Sequence, residues 1–281
     1  MEYKELGNTG VMLPEIGLGT WKYTGGNEPL RRGIELGACL IDTAEMYRTE
    51  DAVGQAVQGI REKTFIASKV LGSHLRFDQV KQAAENSLRL LGADYIDLYQ
   101  IHWPNSSVPI RETMRAMEEL VDAGLVKYIG VSNFSVREIE EARSALARYP
   151  IVSNQVHYSL KRRGIERDLL PYCQENHITV IAYTPLENGS LAVRPPSRTG
   201  TLRQTAGRFL GRAPGDQALT DIAEAVGKTP AQVALNWCVS HPYVIAIPKS
   251  NSVARTEENC GASGWRLTAD QLQRLDEAFP L

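Results

Sequence analysis

Apolar positions along this chain gather into eight short runs of six to eight residues, each ending in polar residues: EIGLGT (15–20), CLIDTA (39–44), TFIASK (64–69), YIDLYQIH (95–102), KYIGVSN (127–133), IVSNQV (151–156), TVIAYT (179–184) and YVIAIPKS (243–250). Runs of this length without strict alternation are the pattern of strands buried on both faces. Between them the period changes to 3.6: Val80, Ala84, Ser87, Leu88 and Leu91 share one helical face, as do Ile110, Met114, Met117 and Val121. Parallel neighbours need a long, nearly always right-handed crossover, so eight strands alternating with helices predict a closed (β/α)8 TIM barrel. An open doubly wound sheet alternates in the same way but carries a glycine fingerprint after its first strand. Here GLGTWK supplies Gly17 and Gly19 but has Lys22 in the third place, and no G-x-x-x-x-G-K-[ST] occurs, which favours the barrel.

Two segments fall outside the repeat. YKELGNTGVMLP reads as a β-hairpin turning at Gly7-Asn8-Thr9-Gly10, placed to plug the N-terminal mouth of the barrel. The second segment separates the last two strands: Tyr183 to Tyr243 is 60 residues. It opens with a long loop broken by Gly and Pro, ENGSLAVRPPSRTGTLRQTAGRFLGRAPG, followed by extra helices expected over 217–226 and 230–241. Thr229 is the expected cap of the second helix, with Pro230 in its first turn. The whole chain, 1–281, reads as one domain, since barrels of about 250 residues fold as a unit.

Composition narrows the function classes. A formal charge of -2, with 23% charged residues, offers no basic field for nucleic acid. The four cysteines, Cys39, Cys173, Cys238 and Cys260, are widely spaced and read as small buried hydrophobes in a reducing compartment. No apolar run approaches the roughly 18 residues of a membrane span, and the start is polar and turn-forming. A cytoplasmic monomer acting on a small molecule, without nucleic acid or membrane, is the expectation.

Barrel active sites form at the C-terminal ends of the strands, so the polar strand endings are where chemistry is sought. LIDTAEMYRTE (40–50) ends a buried strand with Asp42, Glu45 and Tyr47; Lys69 ends the third strand and His102 the fourth. Taken singly, such residues more often cap a helix, meet solvent or pack. Together at one rim they suit protonation of an oxygen that is gaining negative charge. A phenol is a weak acid near neutrality; a Lys69 ammonium would pull the Tyr47 pKa down, Asp42 would hold that ammonium, and a neutral His102 would orient a substrate oxygen. A metal site on His102 and His157 lacks any H-E-x-x-H or Cys/His ligand spacing, so no metal is expected. GVSNF lacks the second glycine of a G-x-S-x-G hydrolase elbow. After the eighth strand, PKSNSVARTEEN places Lys249, Ser250 and Arg255 at a helix start, where a cation pair and a hydroxyl suit a phosphate, such as the extra phosphate of NADP.

The pieces GLGTW, IDTAEMY, ASKV, DLYQIHWP, GVSNFS, SNQV, AYTPL and IPKSNSVARTEEN occur in the order seen in aldo-keto reductases, and the chain resembles that family from near its start to Asn259. The resemblance implies NADP(H)-dependent reduction of aldehydes and ketones, with Asp42, Tyr47, Lys69 and His102 as the catalytic tetrad and Tyr47 as proton donor. His102, where steroid double-bond reductases of the family have glutamate, points to carbonyl reduction. It further implies that Ser132, Asn133 and Gln155 hold the cofactor carboxamide and that Tyr183 stacks on the nicotinamide. Gly19, Thr20, Leu186, Lys249, Ser250, Arg255, Glu258 and Asn259 complete the implied cofactor contacts, the last two at the adenine. Trp21 and Trp103 would flank the substrate pocket, left open by the short loop WPNSSVP and the short tail. A βα loop emerges on the C-terminal face, the side of the cofactor phosphates, so the loop over 187–215, with Arg194, Arg198, Arg203, Arg208 and Arg212 against the single acid Glu187, is expected to fold over the cofactor pyrophosphate, a solvated insertion being the alternative. Some members of the family serve as cofactor-binding regulatory subunits of channels, a second reading that the complete tetrad disfavours.

Overall fold

The computed structural model of the protein describes residues 1–192 and 214–281. Strands β1 (Tyr3–Glu5) and β2 (Met12–Pro14) pair antiparallel, Tyr3 opposite Pro14, and form the expected hairpin. The other eight strands, β3 (Leu18–Gly19), β4 (Leu40–Asp42), β5 (Phe65–Val70), β6 (Ile96–Ile101), β7 (Val126–Ser132), β8 (Ile151–His157), β9 (Thr179–Tyr183) and β10 (Val244–Ala246), lie in sequence order in one parallel sheet. Ile16 bridges Ala246 and Gly19 bridges Lys249, both in parallel sense, so the first strand meets the last and the barrel closes. That seam explains why the first run, expected over 15–20, contributes only two residues of regular strand: its partner on one side is met through isolated bridges, not a continuous ladder. Gly19 is required there, because a Cβ would lie 2.6 Å from the carbonyl oxygen of Ile247.

Ten helices occur among the described residues: α1 (Glu28–Glu35), α2 (Glu50–Val57), α3 (Phe77–Leu91), α4 (Ile110–Asp122), α5 (Val136–Ala145), α6 (Leu169–Glu175), α7 (Pro214–Val226), α8 (Pro230–Ser240), α9 (Val253–Cys260) and α10 (Ala269–Ala278). Helix α8 begins as its sequence predicts: Thr229 Oγ1 accepts from Gln232 N–H at 3.2 Å, and the Gln232 side chain accepts from Thr229 N–H at 3.0 Å. Residues 193–213, which carry Arg194, Arg198, Arg203, Arg208 and Arg212 of the expected lid, lie outside the described residues.

Successive strand residues point to opposite faces, and this period of two builds the site. Leu40, Phe65, Ala67, Leu98, Ile181 and Ile245 point inward and pack with Leu6 and Leu13 of the hairpin, which fill the N-terminal mouth. Ile41, Ile66, Tyr99 and Ile101 point outward into the larger core under the helices. Two residues further along the inward face, Leu40 is followed by Asp42, Ala67 by Lys69, Leu98 by Gln100, then His102, and Ile181 by Tyr183. A dry hydrophobic floor therefore lies directly beneath a polar ring at the C-terminal end.

Candidate active site

Lys69 is fully buried, and its ammonium donates to Asp42 Oδ1 at 2.8 Å, to Thr43 O at 2.8 Å and toward the Tyr47 hydroxyl at 3.4 Å. Gln155 Nε2 donates to the other Asp42 oxygen at 2.7 Å. Burial alone would lower the Lys69 pKa, but Asp42 and Tyr47 reverse it and hold the ammonium above its usual value. Burial pushes the Asp42 carboxyl up, against Lys69 and the Gln155 hydrogen bond. Because both of these partners are donors, the carboxylate is the form that completes the network.

Tyr47 sits on a single 3-10 turn, Glu45–Tyr47, just beyond β4. Its ring meets Trp21 edge-on at 5.0 Å and His102 edge-on at 5.4 Å. The expected downward shift of its pKa is corrected here: burial raises it, and this outweighs the opposing pull of Lys69. The phenol thus keeps its proton at rest, and the ammonium beside it favours the phenolate only once the proton has left. His102 stacks on Trp103 at 4.0 Å, and burial, with the Lys69 charge second, pushes its pKa down to about 3. It is the neutral imidazole at ordinary pH, and its Nδ1 is buried without a hydrogen-bond partner among the described residues.

These groups form the floor of a cavity of about 860 Å³ whose lining runs from Trp21 and Trp103 to Lys249, Arg255, Glu258 and Asn259. Gly19, Thr20, Ser132, Asn133, Gln155, Tyr183 and Leu186 also line it; Lys69 lies beneath it, and Ser250 is outside the lining. The Ser250 hydroxyl instead donates to Ser252 O at 2.9 Å and accepts from Ser252 N–H, shaping the turn into α9. Thr20 spends its hydroxyl on Asp42 O at 2.8 Å and on Thr49. Asn133, in the left-handed region at φ 62, donates to His102 O and Ser132 Oγ and accepts from the Tyr183 hydroxyl at 3.0 Å. The Tyr183 ring lies on His157 at 5.2 Å, which fixes its plane at the cavity wall. His157 itself bonds Glu187 at 2.7 Å, so the two histidines weighed as metal ligands have separate tasks.

At the far end, Lys249 is lowered by burial and then by the charges of Arg255 and Lys22. Together Lys249, Arg255 and Lys22 make a donor set suited to an anion. Lys22, read in the sequence only as a residue that spoils a glycine fingerprint, was the missed member, and Met46, Ile247 and Ala231 are further lining residues without a polar signal to reveal them. Chemically, the cavity offers a half-buried phenol beside an ammonium, a neutral imidazole, an amide and aromatic wall, and a cationic mouth. That combination fits a nicotinamide dinucleotide phosphate laid from floor to mouth.

The sequence profile of the Aldo/keto reductase family matches residues 15–279. Methylglyoxal reductase YeaE of Escherichia coli is 38% identical over 96% of this chain and 92% of its own length. Among solved structures, the thermostable aldo-keto reductase Tm1743, bound to the inhibitor epalrestat, superposes with a TM-score of 0.86 at 40% identity, covering 99% of this chain and 100% of that one. An aldo/keto reductase from Klebsiella pneumoniae, in complex with NADP and acetate, does so with a TM-score of 0.83 at 36% identity, covering 99% of this chain and 95% of that one. A closed parallel barrel, a profile match across nearly all of it and relatives matched over more than nine-tenths of their length lead to one conclusion: the chain belongs to the aldo/keto reductase family of oxidoreductases.

Proposed function

We propose that this protein reduces aldehydes and ketones to alcohols with NADPH, Tyr47 serving as the general acid. The observation that carries the reading is the Tyr47 hydroxyl at 3.4 Å from a Lys69 ammonium that is itself paired with a buried Asp42, beside a neutral His102. NADPH, when bound, supplies the hydride that goes to the carbonyl carbon. Tyr183 and Asn133 would hold the nicotinamide end, and Lys22, Lys249 and Arg255 the phosphate end. Neutral His102 donates a hydrogen bond to the carbonyl oxygen and aligns it with Tyr47. As that oxygen gains charge, Tyr47 gives up its proton to it, and the phenolate left behind is stabilised by Lys69. Asp42 keeps Lys69 charged through the cycle, and Tyr47 is reprotonated from solvent at the open mouth.

The mouth favours small, undemanding carbonyl compounds. Trp21 and Trp103 stand at its rim, 45% and 40% exposed, with a short loop behind Trp103. The name of the Escherichia coli relative, methylglyoxal reductase, makes short α-dicarbonyls the first substrates to try. The test is NADPH oxidation across aldehydes, ketones, α-dicarbonyls and aldoses. Turnover of short aldehydes and α-dicarbonyls is expected; NADPH binding without turnover of any class would overturn the reading.

A further inference from the structure

The turn that carries Tyr47 is weakly determined by its own chain. It is three residues long, none of its side chains is buried, and Arg48 follows in the left-handed region at φ 55. Its internal bonds are Tyr47 N–H to Ala44 O at 2.9 Å and Arg48 N–H to Glu45 O at 3.4 Å. Yet the Tyr47 hydroxyl must be held to a fraction of an ångström, because misplacing a reacting group by about 1 Å can cost on the order of 10²-fold in rate.

Glu45, exposed by the same polar run as Asp42 and Tyr47, is absent from the cavity lining. Its carboxylate reaches sideways to the segment after β5: Oε2 accepts from Leu71 N–H at 2.9 Å, and Oε1 meets His74 Nδ1 at 2.7 Å. That segment is tied in turn to the wall holding His102 and Trp103, since Asn105 Nδ2 donates to Gly72 O at 2.7 Å. Gly72 lies against the Trp103 backbone, where a Cβ would come within 3.3 Å of its carbonyl oxygen. We propose that Glu45 is a positioning residue for Tyr47: it pins the 45–47 turn to the 71–74 segment, and through that segment fixes the phenol relative to His102 and Trp103. Lys69 grips the phenol from below; Glu45 sets the backbone that presents it.

The inference rests on Tyr47 being the general acid, so Tyr47→Phe is measured beside Glu45→Ala, Glu45→Gln and His74→Ala in the NADPH-loaded enzyme. Glu45→Ala is expected to lower kcat by on the order of tenfold to a hundredfold, with carbonyl KM and NADPH Kd within about twofold of wild type. Glu45→Gln keeps an acceptor for Leu71 N–H and recovers most of the rate. His74→Ala, at a half-exposed side chain, folds whatever Glu45→Ala does and loses several-fold in kcat with the same split. A crystal structure of Glu45→Ala should show the Tyr47 hydroxyl displaced from its 3.4 Å approach to Lys69. Wild-type kcat in Glu45→Ala, or in His74→Ala should Glu45→Ala not fold, overturns the inference. So does a kcat loss matched by equal losses of NADPH affinity and melting temperature, or a Glu45→Gln as slow as Glu45→Ala. Full turnover by Tyr47→Phe would overturn the general-acid reading itself, whereas a dead Tyr47→Phe beside an intact Glu45→Ala removes only the role given to Glu45.

Discussion

Two lysines, one fully buried and one half-buried, stand at opposite ends of this barrel, and their environments push them in opposite directions. Lys69, at the C-terminal end, faces the Asp42 carboxylate at 2.8 Å and is held above its usual pKa. Lys4, in the hairpin at the closed end, donates to the carbonyl oxygens of Val239, His241 and Val244 at 2.5, 2.8 and 2.8 Å. Its hydrogen bonds are at least as short, yet burial pushes its pKa down to about 8. The difference is charge. Carbonyl dipoles satisfy the three protons of an ammonium but do not repay the loss of water around a full charge, whereas a buried carboxylate does. Glu15 near Lys4 raises its pKa, but Glu15 is already paired with Arg266 at 2.7 Å, which lowers it. One end of the barrel is built to keep a charge, the other to anchor a chain.

The sharpest way to break the C-terminal end is Tyr47→Phe. Removing a positioned general acid costs about 10² to 10⁴ in rate, and because among the described residues the hydroxyl makes a single long hydrogen bond, with Lys69 at 3.4 Å, the fold should be untouched. We expect normal NADPH binding by fluorescence titration and nearly complete loss of carbonyl reduction; a retained kcat would remove Tyr47 from the mechanism.

Next in size is the cationic mouth, where Lys22, Lys249 and Arg255 line one end of the cavity. Lys249→Met or Arg255→Met should each weaken NADPH binding by on the order of 1.5 to 3 kcal/mol, the range of a charge-assisted contact, and leave NADH binding nearly unchanged. The check is the ratio of the two cofactor affinities. Equal use of both by the wild type would contradict the proposed phosphate contact.

The polar end of the barrel was legible in the sequence because each of its residues breaks a buried run: Asp42, Lys69 and His102 interrupt apolar strands where nothing but a function or a cap accounts for them. The period of two then placed them on one face without any knowledge of the turns between. Lys4 gave no such signal, since it lies in a polar hairpin and its partners, three backbone carbonyls, have no sequence identity. Lys22 was hidden for a similar reason: its place at the cavity follows from a left-handed φ of 54, which residue type does not announce. The direction of the Tyr47 shift depended on how dry the floor is, and the role given to Glu45 on a loop 26 residues away from it. Short strands at the seam were missed because barrel closure is a global condition on the last strand as much as on the first.

His102 sharpens the comparison with a group kept neutral. Its usual pKa of about 6.5 falls to about 3 in the fold. Between those values the unfolded chain binds a proton that the folded one refuses, so unfolding free energy falls as pH falls through that window. At pH 5 the loss relative to pH 7 should be about 2 kcal/mol. Denaturant melts at the two pH values should show this loss in the wild type and a smaller one in His102→Gln. Identical pH dependence in both would mean that the imidazole is protonated in the folded enzyme.

The smallest effect belongs to the closed end. Lys4 ordinarily titrates near 10.4 and here near 8. Above pH 8 the folded protein sheds a proton that the unfolded chain keeps up to about 10.4, so stability should rise across that window as the buried charge is relieved. Because Lys4 is only half-buried, solvent screening trims the gain to on the order of 1 kcal/mol. Lys4→Met removes the titration, so its melting temperature should lack the alkaline rise while its kcat equals that of the wild type. At pH 7 the variant also leaves the carbonyls of Val239, His241 and Val244 without their donor, which offsets part of what is gained by removing the charge. The slope with pH, not the absolute stability, is therefore the quantity that decides. A flat wild-type profile between pH 8 and 9.5 would show that the three carbonyls hold the ammonium as well as Asp42 holds Lys69, and the contrast between the two ends would be lost.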